Sequence, residues 1–133
     1  MTVLVIIGAA LAIIVIYIAI IIVRVIFFPK TSLHYNIKGG VAWKFKKYDE
    51  AIEHYRKAIQ LNPDDENAHL YMGSSYVETG KYDEAIKSFQ KVIELKPFYA
   101  NTYCLLGLVY KKSGNQVKAD EYFQKYKKIF EKN

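Results

Sequence analysis

The sequence predicts an all-α protein that has one membrane-spanning helix at its N-terminus and pairs of antiparallel helices after it. Two observations predict this fold class. Residues 3–23 form a run of 21 residues without a charged side chain. In the rest of the chain the same residue types return every 34 residues. The first pattern is typical of a transmembrane segment, and the second is typical of a helical repeat.

The N-terminal run, VLVIIGAALAIIVIYIAIIIV, is long enough to cross a bilayer. A helix rises about 1.5 Å per residue, and about 20 apolar residues span the hydrocarbon core. A cleaved secretory signal is the main alternative, but such signals have a basic start and a shorter apolar stretch. Here Met1 and Thr2 carry no charged side chain, and residues 27–30 make a poor cleavage site. We therefore expect residues 1–30 to be a permanent anchor and its flank, with 3–23 in the lipid bilayer.

The orientation of the anchor follows from the charges beside it. Basic residues are absent before the run and frequent after it: Arg24, Lys30, Lys38, Lys44, Lys46 and Lys47. Basic residues close to a span tend to stay on the cytoplasmic side. We expect a single-pass membrane protein with its N-terminus outside and the rest cytoplasmic. The single cysteine, Cys104, is compatible with a reducing compartment.

The whole chain is basic, with 19 Lys and Arg against 13 Asp and Glu and a net charge of +6. Nucleic acid is one explanation of such an excess, and an anionic lipid leaflet is another. Because basic and acidic residues are interleaved along the helices, a solvated surface explains most of them. We therefore expect no nucleic-acid partner.

The repeated part has a period of 34 residues. Its recurring positions are Pro63 and Pro97; Ala51, Ala85 and Ala119; Tyr55, Phe89 and Phe123; and Gly39, Gly73 and Gly107. The phrases KYDEAIEHYRKAIQLNP and KYDEAIKSFQKVIELKP match almost residue for residue, and NQVKADEYFQKYKKIF is a weaker third copy. This pattern resembles the tetratricopeptide repeat (TPR), a helix–turn–helix unit. The resemblance implies a three-repeat right-handed solenoid over 32–133, with repeats 32–65, 66–99 and 100–133.

Small and large residues alternate in ways that suit such packing. We expect the recurring glycines at 39, 73 and 107 to let neighbouring helices approach closely, and the recurring aromatic residues to fill the space between them. Gly80 and Gly114 suit the turns between paired helices, where positive φ is easily reached. The first and last repeats depart from the pattern: Lys46 stands where the others have glycine, and Gln116 replaces the tyrosine at 48 and 82. Terminal repeats of solenoids are usually atypical.

The resemblance implies a concave groove lined by the first helix of each repeat, where TPR proteins hold a partner peptide or helix. The positions that we expect to face a partner are Asn36, Trp43, Asn67, Leu70, Val77, Asn101, Cys104, Leu108 and Lys111. Asparagine amides suit this role because they donate to and accept from an extended peptide backbone. The alternative is that these residues are merely exposed.

One version of that groove is not expected here. TPR co-chaperones clamp the C-terminal carboxylates of Hsp70 and Hsp90 with lysine, arginine and asparagine. The matching positions of this chain are Asn36, Gly40, Tyr71, Asn101 and Leu105. Since none of them is a cation, charge-assisted carboxylate binding of that kind is not predicted.

A second candidate surface lies on the last helix, predicted from about Val117 to Glu131. Its aromatic and aliphatic residues form a C-terminal partner face: Tyr122, Tyr126, Ile129 and Phe130. Either another protein or a second copy covers this strip, or the lysines at 118, 125, 127 and 128 shield it with their aliphatic stems.

The sequence does not suggest catalysis. His34, His54 and His69 lack metal-ligand spacing, and Gly80-Lys81-Tyr82 is a repeat turn rather than a phosphate loop. We expect no catalytic residues, cofactor, metal or small-molecule substrate. The predicted function is a membrane-anchored scaffold, a small accessory or assembly subunit of a larger membrane complex. The alternative is a receptor or targeting adaptor that transiently binds soluble clients.

Overall fold

The computed structural model describes residues 1–27 and 30–132, and all regular structure in these ranges is α-helix. The helices are α1 Thr2–Phe27, α2 Ser32–Lys44, α3 Tyr48–Leu61, α4 Glu66–Glu78, α5 Tyr82–Leu95, α6 Ala100–Lys112 and α7 Gln116–Phe130. The chain divides into two compact units, Met1–Lys30 and Thr31–Asn133. The predicted fold class is confirmed: an apolar N-terminal helix and a TPR-like solenoid of six helices.

Helix α1 is apolar on all sides. Among the residues that the structure describes, it is the one helix long and apolar enough to cross a membrane, over Thr2–Ile26, with a mean hydropathy of 3.2. Every residue from Met1 to Ile26 is exposed. A membrane span and a signal sequence both have this character. In water so many exposed aliphatic side chains are unfavourable, because burial of apolar surface is the main force that stabilises helices.

The helices of the second unit follow the 34-residue period closely. Helices α2, α4 and α6 begin at 32, 66 and 100, and helices α3, α5 and α7 begin at 48, 82 and 116. Each helix packs against the next one in the chain, from α2 through α7. The last helix begins at Gln116, one residue before the predicted Val117, because Asn115 caps it by accepting a hydrogen bond from the Lys118 N–H at 3.1 Å.

Each helix pair is closed by a glycine set against an aromatic ring, as the periodic positions predicted. A Cβ atom added to Gly39 would lie 2.5 Å from the Tyr55 ring, and one added to Gly73 would lie 2.7 Å from the Phe89 ring. Gly107 meets Phe123 at 2.6 Å in the same way. The rings occupy the volume that any larger residue would need, so the glycines set how closely the two helices of a pair approach.

Buried apolar residues form two clusters. The larger one joins α5, α6 and α7 through residues that are almost completely buried: Ala85, Phe89, Leu106, Val109, Tyr110 and Ala119. The smaller one lies between α2 and α3 and consists of Ala42, Ala51 and Tyr55. Such a distribution gives the α2–α3 pair fewer buried apolar partners than the following pairs have.

The turn within each pair needs one residue with positive φ. Gly80 has a φ of 74° and Gly114 a φ of 85°, as predicted for these turns, and Lys46 takes the same role in the first pair with a φ of 59°. An L-residue in this left-handed region costs roughly 1–2 kcal/mol, which glycine largely avoids. The first turn is therefore strained relative to its two counterparts.

Replacing Gly73 by alanine tests the close approach of the paired helices. We expect Gly73→Ala to destabilise the protein by about 1–3 kcal/mol, because the buried Phe89 ring cannot move aside without overpacking the core. Gly40→Ala is the matched control, since its added Cβ would meet no atom nearer than the Tyr55 hydroxyl at 4.0 Å. Urea unfolding followed by circular dichroism measures both, and equal stability of the two variants would contradict the account.

Replacing Lys46 by glycine tests the strain in the first turn. We expect Lys46→Gly to stabilise the protein by about 1 kcal/mol, because glycine adopts the same φ at little steric cost. Gly80→Ala should lose a similar amount for the opposite reason. Thermal unfolding of the three proteins under one set of conditions gives the comparison, and a loss of stability in Lys46→Gly would refute it.

Candidate partner-binding groove

The first-helix residues of the α2–α3 and α4–α5 pairs line a cavity of about 530 Å³. Its walls are Asn36, Gly40, Trp43, Tyr55, Tyr71 and Ser74. Glycine and serine keep the entrance wide, while the three aromatic rings make most of the wall apolar. Concave, largely apolar cavities with a few polar groups are the usual form of a ligand site.

A second cavity of about 290 Å³ continues toward α6. Its lining residues are Trp43, Ser74, Val77, Glu78, Phe89, Leu105, Leu108, Val109 and Lys112. Glu78 and Lys112 bring opposite charges to one site, and the remaining walls are mostly apolar. The two cavities share Trp43 and Ser74, so we treat them as one groove formed by α2, α4 and α6.

Trp43 stands between the two cavities. Its side chain is 42% exposed, and its ring meets the edge of the Tyr48 ring at a centroid distance of 6.1 Å. A partly exposed tryptophan at the centre of a groove resembles the aromatic anchors that dominate protein interfaces. Because the chain has a single tryptophan, its fluorescence reports on the groove alone.

The floor of the first cavity is built from two stacked tyrosines. The rings of Tyr55 and Tyr71 lie 6.0 Å apart with an interplanar angle of 26°. Burial, followed by the proximity of Tyr71, raises the pKa of Tyr55 to about 12. The Tyr55 phenol is therefore neutral throughout the physiological range, and it adds no charge to the groove floor.

Asp65 links the first two helix pairs at one end of the groove. Its carboxylate accepts hydrogen bonds from the Ser32 hydroxyl, from Asn36 Nδ2 at 2.8 Å and from the Ala68 N–H at 3.0 Å. Burial acts to raise the pKa of Asp65, but these hydrogen bonds outweigh it and hold the pKa below its usual value. The same carboxylate thus caps α4 and fixes the side chain of Asn36.

Asn36 is held with its amide nitrogen toward Asp65, which leaves its oxygen oriented differently. Asn36 Oδ1 is buried and has no hydrogen-bond partner within the described ranges. A buried acceptor without a partner costs free energy unless a ligand or water supplies a donor. Since Asn36 lines the first cavity, its oxygen is a candidate acceptor for a ligand N–H group.

The structure brings together four of the nine residues predicted for the groove. Asn36, Trp43, Val77 and Leu108 line the cavities. The other five do not: Asn67, Leu70, Asn101, Cys104 and Lys111. Leu70 packs against the apolar cluster of α5–α7, and Asn67, Asn101 and Lys111 are exposed. Tyr71 and Leu105 line the groove although they were absent from the predicted partner set; their common position, one turn after the first residue facing the groove, was the available signal.

The predicted C-terminal face is only partly open. Tyr122 stacks on Tyr110 at 5.4 Å, and Lys125 Nζ lies 4.9 Å from the centre of the Tyr122 ring. That lysine shields the ring, as one of the two alternatives proposed. Tyr126 and Ile129 are half-buried, whereas Phe130 is 66% exposed and lies 5.7 Å from the Tyr126 ring.

Two surface cavities border this C-terminal face. One of about 540 Å³ is lined by residues of α5, α6 and α7, and one of about 380 Å³ by Phe98, Lys128, Ile129 and Lys132. Both are rimmed by lysine. Across residues 1–27 and 30–132, no three His, Cys, Asp or Glu side chains gather as they would around a metal ion.

Fold and groove together define a helical-repeat protein with a concave binding surface. Comparison with family models gives the particular class: models described as TPR repeat match residues 46–80 and 73–114, and one described as tetratricopeptide repeat matches 100–133. The chain belongs to the tetratricopeptide repeat family, and it is a scaffold of the kind that binds other proteins.

Curated relatives share single segments with this chain. Hsp70-Hsp90 organizing protein 1 of Arabidopsis thaliana is 41% identical over 54 residues, which are 41% of this chain and 9% of the relative. The Hsp70-Hsp90 organising protein of Plasmodium falciparum is 39% identical over 44 residues, 33% of this chain and 8% of the relative. The chain therefore spans less than a tenth of the length of these relatives.

Solved structures match most of the chain. A crystal structure of MamA has a TM-score of 0.76 at 30% identity, covering 81% of this chain and 63% of that one. YrrB, described as a TPR protein with an unusual peptide-binding site, has a TM-score of 0.73 at 26% identity over 77% of this chain and 53% of its own. The second TPR of Spaghetti (RPAP3), bound to an HSP90 peptide, has a TM-score of 0.70 at 22% identity, covering 75% and 93% of the two chains, and shows the shared fold.

The depressed pKa of Asp65 predicts a dependence of stability on acid. Because the folded state lowers this pKa below that of the unfolded chain, Asp65 contributes its full stabilisation above about pH 4 and loses it as pH falls through the folded-state pKa. We expect Asp65→Asn to be less stable near pH 7 but to lose less stability between about pH 4 and pH 2. Asp83→Asn, at an exposed first-turn position of α5, is the control, and urea unfolding at each pH gives the free energies. Identical acid profiles for Asp65→Asn and the unmodified protein would refute this role.

Proposed function

We propose that this protein is a membrane-anchored TPR scaffold whose groove holds a segment of another protein. In this proposal it is a small accessory or assembly subunit of a larger membrane complex and has no catalytic activity. The observation that carries the proposal is the groove in which Trp43 joins two mostly apolar cavities of about 530 and 290 Å³. The similarity to YrrB, described as having a peptide-binding site, supports the same use of the groove.

The chemistry of the groove favours a ligand segment with apolar side chains. Aromatic walls around Trp43 suit one such side chain, and the aliphatic wall of Val77 and Leu108 suits a second. The unpartnered Asn36 Oδ1 suits a peptide N–H. Glu78 and Lys112 at the second cavity suit polar or charged groups beside the apolar ones.

We infer that the ligand is not held by its terminal carboxylate in the manner of the Hsp70 and Hsp90 clamps. At the five positions of that clamp this chain has Asn36, Gly40, Tyr71, Asn101 and Leu105. None is basic, so the charge-assisted bonds that a carboxylate needs are missing there. The similarity to Hsp70-Hsp90 organizing proteins then reflects the shared repeat and leaves the partner open.

Helix α1 supplies the proposed membrane anchor. Its exposed aliphatic side chains over Thr2–Ile26 are suited to lipid, and no charge interrupts residues 3–23. The basic residues that follow favour a cytoplasmic location for the repeats and an outside N-terminus. The exposed Phe130 at the C-terminal face offers a second apolar contact for a neighbouring subunit.

A transient adaptor for soluble client proteins is the second candidate function. The groove favours it because Trp43 remains 42% exposed and both cavities are open to solvent. Under this reading groove substitutions release clients and leave membrane neighbours unaffected. Under the subunit reading, substitutions of Tyr126 and Phe130 also release neighbouring membrane subunits.

Substitutions in the groove test the proposal. We expect Trp43→Ala combined with Leu108→Ser to weaken the bound segment by about 2 kcal/mol or more, roughly thirtyfold in Kd, because central aromatic anchors dominate interfaces. The measurement is site-specific photocrosslinking in native membranes from a benzoylphenylalanine placed at Tyr71, with quantification of the crosslinked partner.

Phe98→Ser is the matched control, because Phe98 is 79% exposed and lines neither cavity of the groove. It should leave the crosslink from position 71 unchanged. Circular dichroism shows whether each variant is folded. Crosslinking that is equally strong in the folded groove variant and in Phe98→Ser would sink the proposal.

A further inference from the structure

Helix α2 carries a second apolar surface, on the side turned away from the groove. The side chains of Leu33, Ile37 and Val41 are 67%, 60% and 52% exposed, and Phe45 at the end of the helix is 69% exposed. These residues are four apart, so they form one line along the helix. We call this line the outer stripe. It includes Leu33, which does not line either groove cavity.

The equivalent positions of the other helix pairs are buried. Val41 corresponds to Ser75 and Val109, which are 0% and 1% exposed, because each of them packs against the helix pair before it. The outer stripe is therefore the face that the repeat architecture normally covers. In α2 this face is apolar and exposed.

Two polar residues on the same face indicate what kind of surface covers it. His34 and Lys38 are exposed, whereas their counterparts in α6, Thr102 and Leu106, are completely buried. Packing another protein helix here would bury the Lys38 ammonium group, which is costly without a partner charge. A lipid surface accepts the same pattern, since lysine stems lie on apolar surface while their ammonium groups reach the phosphates.

The charges around the outer stripe are all of one sign. Helix α2 contains no acidic residue. Exposed lysines lie on it and beside it: Lys30, Lys38, Lys44 and Lys46. In the part of the chain that the structure describes, none of these four has a carboxylate within 4.0 Å. An apolar line flanked by lysines is the pattern of a helix that lies in the interface of an anionic membrane.

The chain keeps α2 close to the proposed anchor. Residues 28–31 alone separate the end of α1 at Phe27 from the start of α2 at Ser32. An extended chain spans at most about 3.6 Å per residue, so these four residues reach roughly 15 Å. The outer stripe therefore begins within reach of the headgroups if α1 spans the bilayer.

We propose that the outer stripe of α2 lies on the anionic surface of the membrane, with Leu33, Ile37, Val41 and Phe45 entering the headgroup boundary and the flanking lysines contacting lipid phosphates. This inference rests on the membrane anchoring proposed above. The contact fixes the first helix pair against the lipid, so the groove is presented in a defined orientation rather than on a loose tether.

Site-directed spin labelling of the full-length protein tests the contact. In a Cys104→Ser background, single labels are placed at Ile37→Cys and Val41→Cys, with Ile14→Cys in α1 and Lys87→Cys on the exposed side of α5 as references. The protein is reconstituted into phosphatidylcholine vesicles with and without phosphatidylserine. Collision rates with oxygen, which enriches in lipid, and with a water-soluble nickel complex report where each label lies.

With phosphatidylserine present, we expect nickel collisions at 37 and 41 to be several-fold lower than at 87, and oxygen collisions to be higher. Removing phosphatidylserine, or combining Lys38→Glu with Lys44→Glu, should move both labels toward the values at 87. Lys87→Glu, read with labels at 37 and 41, is the charge-matched control and should change neither value. Unfolding curves of every variant confirm that the repeats are folded.

Three results would overturn the proposal, and they are distinguishable. Labels at 37 and 41 that are as water-accessible as the label at 87, while the label at 14 is in lipid, reject the outer stripe contact alone. Labels at 37 and 41 that are shielded equally with and without phosphatidylserine show that protein covers the stripe. A label at 14 that is outside the lipid rejects the membrane anchor and the contact with it.

Discussion

The contact between a helical glycine and an aromatic ring is the constraint on which the rest of the structure depends. Gly39 meets Tyr55 and Gly73 meets Phe89 at distances that leave no room for a Cβ atom. The same rings also line the groove: Tyr55 forms part of the first cavity and Phe89 part of the second. The residues that close each helix pair are thus also the floor on which a partner would rest.

Periodic features were the ones that the sequence predicted well. The glycine–aromatic contacts, the turns at 80 and 114 and the helix starts all follow from residues that recur every 34 positions. The family's groove pattern also predicted Trp43, Val77 and Leu108 correctly as groove-lining residues. Periodicity works here because each helix pair meets its neighbours in the same way, so equivalent positions have equivalent surroundings.

Features that break the period could not be predicted in this way. The equivalent of Asp65 in the next helix pair is Tyr99, so the hydrogen bonds from Ser32 and Asn36 to the Asp65 carboxylate occur once. Their effect is to turn the Asn36 amide nitrogen away from a ligand and leave its oxygen for one. A distance of 29 residues separates Asn36 from Asp65, and nothing in the local sequence of either residue indicates their pairing.

The proposed function combines two surfaces with a single physical logic. The α2–α3 pair has the smaller apolar cluster, a strained Lys46 in its turn and an exposed apolar line on α2. In water each of these features lowers stability, and each is tolerable if the bilayer and a partner supply contacts. A pair that is stabilised from outside is well suited to join an anchor to a binding groove.

Purification of the tagged protein from its native membrane in mild detergent, followed by sizing and mass spectrometry, tests the central claim most directly. The account predicts a discrete particle in which this chain occurs together with other membrane subunits in fixed stoichiometry. A lone monomer or dimer, with only soluble proteins recovered after crosslinking, would contradict the assignment as a subunit of a membrane complex.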